Sequence, residues 1–403
     1  MQERETEGEV NETYMASFLL NGTANTTHWR NQIIMQYRTF GKTGLKVSAL
    51  GFGCMRLPLK EDGTIHEEEA VNCIRHAIDE GVNYVDTAYP YHGGASETVV
   101  GKALQDGYRE KTYLADKCPV WMLKEEGDFD RYLDEQLQKL QTDHIDFYLL
   151  HALSRERFEN AVKKFHLVDK MKAAREAGKI RYLGFSFHDE PDVFREIVDY
   201  TKEWDFCQIQ YNYINVDYQA GREGLRYAAE KGLAVIVMEP LLGGRLASLS
   251  HHVADKFSPE KTAVEHALDF LWDQKEVSLL LSGMSDRKQV EDNLVYAGRS
   301  SAGMLSEEEK KAYESAKAIY DKMSMVNCTA CAYCMPCAFG LNIPEIFKAY
   351  NVFGLLGKNK AKEEYEKLEG KADQCRGCRR CEKECPQHIK ISQVMKEVAA
   401  VME

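Results

Sequence analysis

Residues 67–88 read EEEAVNCIRHAIDEGVNYVDTA, a helical pattern followed at once by a strand pattern. The first fifteen residues place apolar side chains at helical spacing and end at Gly81, a residue type suited to a helix C-terminus. The next seven form a short apolar run with Val and Tyr, which is typical of a buried strand. A helix joined directly to a strand is the repeating unit of an α/β protein.

The same alternation recurs from Met35 to about residue 300. Eight apolar runs bounded by Gly or polar residues are predicted to be buried strands, with amphipathic helical stretches between them. Eight strand–helix units predict an α/β fold, a (β/α)8 TIM barrel over residues 35–305. A doubly wound open sheet is the alternative, but no Gly-rich dinucleotide fingerprint follows the first strand. The eight runs are VSALGFG, VNYVDTA, TYLADKC, IDFYLLH, IRYLGFSFH, FCQIQYNYI, LAVIVMEP and VSLLLSG.

Composition and charge argue against several classes of protein. The 403 residues carry a formal net charge of −12 and are 44% hydrophobic and 29% charged, a profile typical of a globular protein. A nucleic-acid partner would call for a basic face, and the longest apolar runs are too short to span a bilayer. We therefore expect neither nucleic acid nor membrane as a partner. Residues 1–34 lack sustained periodicity and a secretory pattern, which predicts a disordered extension and a cytoplasmic, reducing location.

Three consecutive predicted strands end in polar residues. Asp86 ends NYVD, Lys117 ends YLADK and His151 ends FYLLH. Active sites of such barrels lie at the C-terminal ends of the strands. A buried Asp and a buried Lys are costly unless paired, so a meeting at one barrel mouth would satisfy both. A lone strand-end His is more often a hydrogen-bonded structural residue than a catalyst, whereas the joint pattern favours a catalytic site.

Residues 83–104, NYVDTAYPYHGGASETVVGKAL, resemble the Asp-Thr-Ala-x-x-Tyr signature of the aldo-keto reductase family. With the later Lys and His, four residues occur in the family's order, and the resemblance covers residues 37–300. It implies an NAD(P)H-dependent oxidoreductase that reduces a small carbonyl substrate. Tyr91 would be the general acid, its pKa lowered by Lys117, which is tied to Asp86, and His151 would orient and polarise the carbonyl.

The same resemblance implies positions for the nicotinamide. Ser186 in GFSFH and Gln208 in CQIQYN match the residues that hold the nicotinamide carboxamide, although Phe187 stands where many members have Asn. Met238 takes the place of the aromatic residue that often stacks on the nicotinamide, which leaves a thioether for the apolar contact.

Loops after the seventh and eighth strands are predicted to bind the phosphate end of the cofactor. A positive charge at Arg287 favours NADPH over NADH modestly, though this residue could equally be a solvated helix-start residue. The candidates are Gly243, Gly244 and Arg245 after the seventh strand, and Ser285, Arg287, Gln289 and Asn293 after the eighth.

Eight of the twelve cysteines lie in two motifs after residue 320. CRGCRRCEKECP has the C-x2-C-x2-C-x3-C-P form of bacterial [4Fe–4S] ferredoxins, while CTACAYCMPC departs from it in the last gap and in the position of the proline. Because the fourth Cys of such a motif usually binds the other cluster, we assign two [4Fe–4S] clusters with exchanged ligands. The first takes Cys328, Cys331, Cys334 and Cys385, and the second takes Cys375, Cys378, Cys381 and Cys337.

Other interpretations of these cysteines are weaker. Paired C-x2-C units also build zinc sites, but close triplets followed by Cys-Pro exceed what tetrahedral zinc needs. A reducing compartment disfavours disulfides. The run between the motifs, IPEIFKAYNVFGLLGKNKAKEEYEKLEG, is predicted to be helical. Residues 306–403 are therefore predicted to form a small, mainly helical ferredoxin-like domain.

Three functions are open at this point. The leading hypothesis is an NADPH-dependent carbonyl reductase with an attached iron–sulfur domain. A redox sensor or scaffold that binds NADPH with little turnover is the second, and Phe187 and Met238 keep it open. In the third, the domain docks a redox partner protein and activity requires a flavin, because hydride carries two electrons and a [4Fe–4S] cluster accepts one. The barrel segment has no identifiable flavin signature, so we expect that NADPH alone does not reduce the clusters rapidly.

Overall fold

A computed structural model of the protein describes residues 34–402, without the side chains of residues 355 and 356. The predicted extension, residues 1–34, lies outside the described residues except for its last residue. Residues from Met35 onward form one compact unit. Within the described residues, no helix is long and apolar enough to cross a membrane.

Eight parallel strands close into a barrel, which confirms the predicted fold. Their alternating side chains fill the interior, and the last strand closes on the first through the pairing of Leu280 with Leu50. A hairpin of β1 (Tyr37–Thr39) and β2 (Lys46–Ser48) precedes the barrel. The barrel strands are β3 (Leu50–Gly53), β4 (Tyr84–Asp86), β5 (Tyr113–Cys118), β6 (Ile145–Leu153), β7 (Ile180–Phe187), β8 (Phe206–Gln210), β9 (Ala234–Met238) and β10 (Val277–Gly283).

Helices surround the barrel and bury their apolar faces against it. One predicted helix, over residues 161–178, is interrupted: a π-helical turn, Phe158–Lys163, ends before His166, which takes a left-handed conformation with φ of 50°. The longer helices are Glu67–Asp79, Ser96–Ala103, Asp128–Leu140, Leu167–Glu176, Pro191–Tyr200, Gly221–Glu230, Ala263–Trp272 and Arg287–Gly298, and shorter ones are Arg155–Arg157 and His251–Ala254.

The apolar face of the helix Glu307–Met323 packs on the barrel, and its C-terminal end contacts the helix Ile343–Leu356. Ser306 caps its first turn, and its buried residues Tyr313 and Tyr320 share one hydrophobic cluster with Leu242 and Leu246 of the loop after β9. The predicted ferredoxin-like segment, 306–403, therefore begins with a helix whose apolar face belongs to the barrel.

Residues 326–402, which we call the cysteine module, have a separate hydrophobic core. Ile346, Phe347 and Met395 are among its buried residues. The predicted helical run between the two cysteine motifs forms two helices, because Gly357 takes a positive φ of 82° between them. The helices of the module are Ile343–Leu356, Lys358–Glu366, Arg380–Glu384 and Ile391–Met402.

Candidate active site

The three polar strand-end residues meet at the C-terminal mouth of the barrel. Asp86, Lys117 and His151 come from the neighbouring strands β4, β5 and β6, and all three are buried. The Lys117 Nζ lies 2.6 Å from Asp86 Oδ1 and donates a second hydrogen bond of 2.6 Å to the carbonyl of Thr87. This pairing supplies the partners that a buried ammonium group requires.

Tyr91 reaches the same place from the turn after β4. A left-handed His92, with φ of 52°, and Gly93 reverse the chain there, and the His92 ring accepts a hydrogen bond from the backbone N–H of Leu57. The Tyr91 ring centroid lies 4.9 Å from Lys117 Nζ and 6.1 Å from the centroid of the His151 ring. The structure thus brings all four predicted catalytic residues together.

Burial sets the protonation of Tyr91 and His151. Burial raises the pKa of the Tyr91 phenol well above its usual value, and the nearby carboxylates of Asp86 and Glu239 raise it further. The lowering of the Tyr91 pKa that we expected from Lys117 does not prevail, because the effect of burial is larger. Burial, followed by the positive charges of Lys117 and Arg157, lowers the pKa of His151 well below its usual value. At neutral pH the phenol is protonated and the imidazole is neutral.

The predicted nicotinamide residues line a cavity of about 560 Å³ together with Asp86, Tyr91 and His151. Ser186 Oγ accepts a hydrogen bond of 2.7 Å from Ala152 N–H. Gln208 Nε2 contacts Met238 Sδ at 3.5 Å, while the buried Gln208 Oε1 has no partner. A buried acceptor without a partner calls for a ligand donor, so the chemistry of this site fits a carboxamide.

Phe187 does not take part in this cavity. Its buried side chain packs against Phe194, with ring centroids 5.1 Å apart, on the helix side of β7. Because neighbouring residues of a strand face opposite sides, Ser186 faces the cavity while Phe187 faces the helices.

The predicted phosphate-end residues separate into two groups. Five of them line the cavity: Gly243, Gly244, Ser285, Gln289 and Asn293. Ser285 and Gln289 are joined by a 3.0 Å hydrogen bond from the Ser285 N–H to Gln289 Oε1, and Asn293 Nδ2 donates to Ser282 Oγ at 3.0 Å. The loop after β10 and its helix thus present backbone and amide groups to one end of the cavity.

The two predicted arginines lie outside the cavity lining. Arg245 donates to Ser324 Oγ at 2.9 Å and covers the Tyr320 ring, so it holds the chain that leads into the cysteine module. Arg287 pairs with Glu291 at 3.0 Å on an exposed helix face. The cavity is instead lined by Arg56, from the turn after β3, which the sequence analysis did not identify.

Four cysteines surround a second cavity beside the first. Cys328, Cys331, Cys334 and Cys385 all line it, and these are the four residues assigned to one cluster. They include Cys385 of the second motif, as the exchange of ligands requires. Burial raises the pKa of the Cys331 and Cys334 thiols to about 12.

The remaining cysteines form a looser group. Cys378 is exposed, and burial together with Cys378 and Cys375 raises the pKa of Cys381 to about 11. Cys337 packs against the core of the module. Among residues 34–402, no three His, Cys, Asp or Glu side chains converge closely enough to hold a single metal ion.

Residues of the cysteine module also line the first cavity. Cys331, Tyr333, Pro386 and Gln387 face the barrel mouth, although the sequence analysis treated this region as a separate domain. Their proximity to the barrel depends on tertiary docking, and no local sequence pattern signals it. Glu239, a half-buried carboxyl group directly after β9, is a further lining residue, and no sequence motif indicates it.

Known proteins resemble the two parts of the chain. Residues 49–266 match the Aldo/keto reductase family, and residues 327–390 match the 4Fe-4S dicluster domain. L-galactose dehydrogenase of Arabidopsis thaliana is 31% identical over 285 residues, which are 64% of this chain and 87% of that protein.

Solved structures share the barrel fold. An aldo-keto reductase of Bacillus halodurans in its holo form is 25% identical with a TM-score of 0.60, over 70% of this chain and 96% of that one. An aldo-keto reductase of Klebsiella pneumoniae in complex with NADPH is 23% identical with a TM-score of 0.58, over 70% of this chain and 94% of that one. The chain is thus an oxidoreductase that belongs to the aldo/keto reductase family and carries a 4Fe-4S domain.

Proposed function

We propose that the protein reduces a small aldehyde or ketone with NADPH, and that Tyr91 is the proton donor. The observation that carries this proposal is the convergence of Tyr91, His151 and the Lys117–Asp86 pair at one cavity. NADPH, when bound, would supply hydride to the carbonyl carbon. Tyr91 gives its proton to the carbonyl oxygen, which completes the alcohol, and Lys117 stabilises the phenolate that is left. The neutral His151 orients the carbonyl through a hydrogen bond.

The residues of the cavity support a dinucleotide phosphate as cofactor. Gln208, with its unpartnered buried oxygen, and Ser186 would hold the carboxamide. The backbone and amide groups after β9 and β10 would hold the phosphates. Arg56 is the cationic residue of the cavity lining and favours NADPH over NADH.

The test compares two tyrosines of one turn. Tyr91→Phe should lower carbonyl reduction by about 10²- to 10⁴-fold, because the transferable proton is lost, while NADPH still binds. Tyr89→Phe is the matched control, since the Tyr89 hydroxyl donates to Glu135 outside the cavity lining. Unchanged turnover of Tyr91→Phe would refute the assignment.

We also propose that the module holds two [4Fe–4S] clusters, each with one ligand from the other motif. Support comes from the four cysteines around one cavity, which belong to both motifs. Anaerobically prepared protein should contain about eight irons per chain with little zinc. About four irons would mean that Cys337 and its three partners hold no cluster.

An external redox partner is a second candidate function of the module. Cys378 is exposed, and the neighbouring Arg376, Arg379 and Arg380 are exposed basic residues in a chain of net charge −12. This basic patch favours an acidic electron-transfer protein over a neutral one. Reduction of the clusters by an acidic flavoprotein should slow strongly as salt rises, and a salt-independent rate would exclude this docking mode.

A further inference from the structure

Tyr333 stands between two cluster cysteines, Cys331 and Cys334, yet it lines the cavity of the barrel. Its hydroxyl lies 3.4 Å from His151 Nε2, and the two rings meet edge-on with centroids 6.4 Å apart. Tyr91 meets the same imidazole edge-on at 6.1 Å. The His151 ring is therefore flanked by one phenol from the barrel and one from the cysteine module.

The loop that carries Tyr333 is held firmly against the barrel mouth. Arg56 Nη2 donates to the carbonyls of Thr329 at 3.2 Å and Ala330 at 3.0 Å. Gly243 approaches the same loop so closely that a Cβ there would lie 2.0 Å from the Thr329 carbonyl oxygen. This contact, together with a positive φ of 64° at Gly243, requires glycine at that position.

The second cysteine motif contributes a parallel set of contacts. Gln387 Nε2 donates to Gln210 Oε1 at 2.7 Å, and Gln219 Nε2 donates to the carbonyl of Pro386 at 2.9 Å. Tyr218 donates its hydroxyl to the carbonyl of Gln387 at 2.9 Å. Both cysteine motifs are thus fixed to loops and strand ends of the barrel.

The two cavities share part of their wall. Cys331 and Gln387 line both the barrel cavity and the cavity of the four cysteines. A cluster bound by Cys331 and Cys334 would fix the backbone on both sides of Tyr333.

We propose that Tyr333 is a substrate-binding residue of the carbonyl site, and that the cluster at Cys328, Cys331, Cys334 and Cys385 positions it. This inference rests on the proposed carbonyl reductase function and extends it. The Tyr333 hydroxyl shares His151 Nε2 with the substrate oxygen, and the rings of Tyr333 and Tyr91 favour a flat, aromatic carbonyl compound. The Tyr333 hydroxyl bonds to His151 and not to the residues proposed to hold the cofactor, whereas Arg56 and Gly243 contact the backbone of its loop. We therefore expect substitution of the Tyr333 side chain to leave the Kd of NADPH unchanged.

The first experiment separates substrate binding from cofactor binding. With 4-nitrobenzaldehyde as probe, Tyr333→Phe should raise KM about fivefold through the loss of one hydrogen bond, with kcat little changed. Tyr333→Ala should raise KM further and reduce the preference for aromatic over aliphatic aldehydes. The Kd of NADPH and the iron content should stay at wild-type values. Tyr350→Phe, which alters a buried tyrosine in the core of the module, is the matched control.

The second experiment needs no turnover. The circular dichroism of the clusters should change when 4-nitrobenzyl alcohol and NADP⁺ bind to the wild-type protein, and this change should be lost in Tyr333→Ala. In the kinetic assay of the first experiment, iron-depleted wild-type protein should match Tyr333→Ala in its KM and keep the Kd of NADPH.

Three results would each contradict a different part of the proposal. If the wild-type protein reduces the aldehyde but both Tyr333 variants keep its KM, Tyr333 does not bind substrate. If iron depletion leaves KM unchanged, or weakens NADPH binding as strongly as substrate binding, the cluster does not position Tyr333. If the wild-type protein reduces no carbonyl compound, the proposed function fails, and a cluster signal insensitive to the alcohol would overturn the role of Tyr333 as well.

Discussion

The barrel and the cysteine module build their sites in different ways. In the barrel, the Lys117–Asp86 pair is already closed at 2.6 Å by side chains on neighbouring strands. In the module, four thiols stand around a cavity and lie on loops and helix ends, and their sulfurs need a metal to become thiolates. A site on strands is fixed by the sheet, whereas a site on loops depends on what it binds. We therefore expect loss of iron to leave hydride transfer in the barrel intact and to disturb the part of the cavity wall that the module contributes.

The largest effect is expected when the Lys117–Asp86 pair is broken. Lys117→Met should abolish reduction and lower the free energy of unfolding by about 3–5 kcal/mol, because it leaves the Asp86 carboxylate buried without its partner. Urea unfolding and steady-state kinetics would measure the two effects. Addition of Asp86→Leu to Lys117→Met should recover most of the stability and none of the activity.

Lys231→Met is the control for that prediction. Lys231 pairs with Asp199 at 2.6 Å, but both side chains are nearly half exposed. The free energy of unfolding should therefore change by less than about 1 kcal/mol. An equal loss from both variants would show that the buried pair has no special role.

The next effect separates the two groups of cysteines. Cys331→Ser and Cys378→Ser should each lower the iron content, but only Cys331 lines the barrel cavity. We expect the KM for 4-nitrobenzaldehyde to rise about fivefold or more in Cys331→Ser and to stay within about twofold in Cys378→Ser. Equal KM changes in the two variants would mean that the substrate site depends on the whole module and not on the cluster at Cys331.

A smaller effect concerns the two arginines near the cofactor end. Arg56→Ala should weaken NADPH binding more than NADH binding, since Arg56 lines the cavity. Arg287→Ala should change the Kd of either cofactor by less than about twofold, because Arg287 is paired with Glu291 at the surface. A large increase in the Kd of NADPH in Arg287→Ala alone would support the prediction from sequence that Arg287 binds the phosphate end of the cofactor.

The smallest expected effect is that of pH on kcat/KM between about pH 6 and pH 9. The proposed donor Tyr91 would act in its protonated form, and its raised pKa keeps that form present to high pH. The lowered pKa of His151 keeps the imidazole neutral down to acidic pH. The kcat/KM for reduction should therefore be constant over this range, and a fall near neutral pH would show that Tyr91 titrates there.

Local sequence patterns were sufficient to predict the barrel and to place the candidate catalytic residues at its mouth. Asp86, Lys117 and His151 each lie at or near the C-terminal end of a strand, and closure of the barrel brings these strand ends together whatever the conformation of the loops. Tyr91 followed from a resemblance in the loop after β4. Cys385 was assigned to the first cluster from motif spacing alone, and it lines that cavity.

Contacts between distant segments were not predictable in this way. Arg245 looked like a phosphate ligand, but it binds Ser324 and Tyr320, which lie far along the chain. Tyr333 is marked by no sequence pattern of its own, but docking of the loop directs it at His151. The contacts of Arg245 and Tyr333 depend on tertiary packing between segments that lie far apart in the chain. No periodic pattern within either segment predicts that packing.

One measurement tests the central claim, that hydride chemistry belongs to the barrel while the iron–sulfur module shapes the site. NADPH and 4-nitrobenzaldehyde are mixed anaerobically with oxidised, iron-loaded protein in a stopped-flow instrument, without flavin, and the visible absorbance of the clusters is followed. We expect one NADPH to be oxidised per alcohol formed while the cluster absorbance stays constant, because hydride carries two electrons and a cluster accepts one. Bleaching of the clusters at the catalytic rate would contradict the claim.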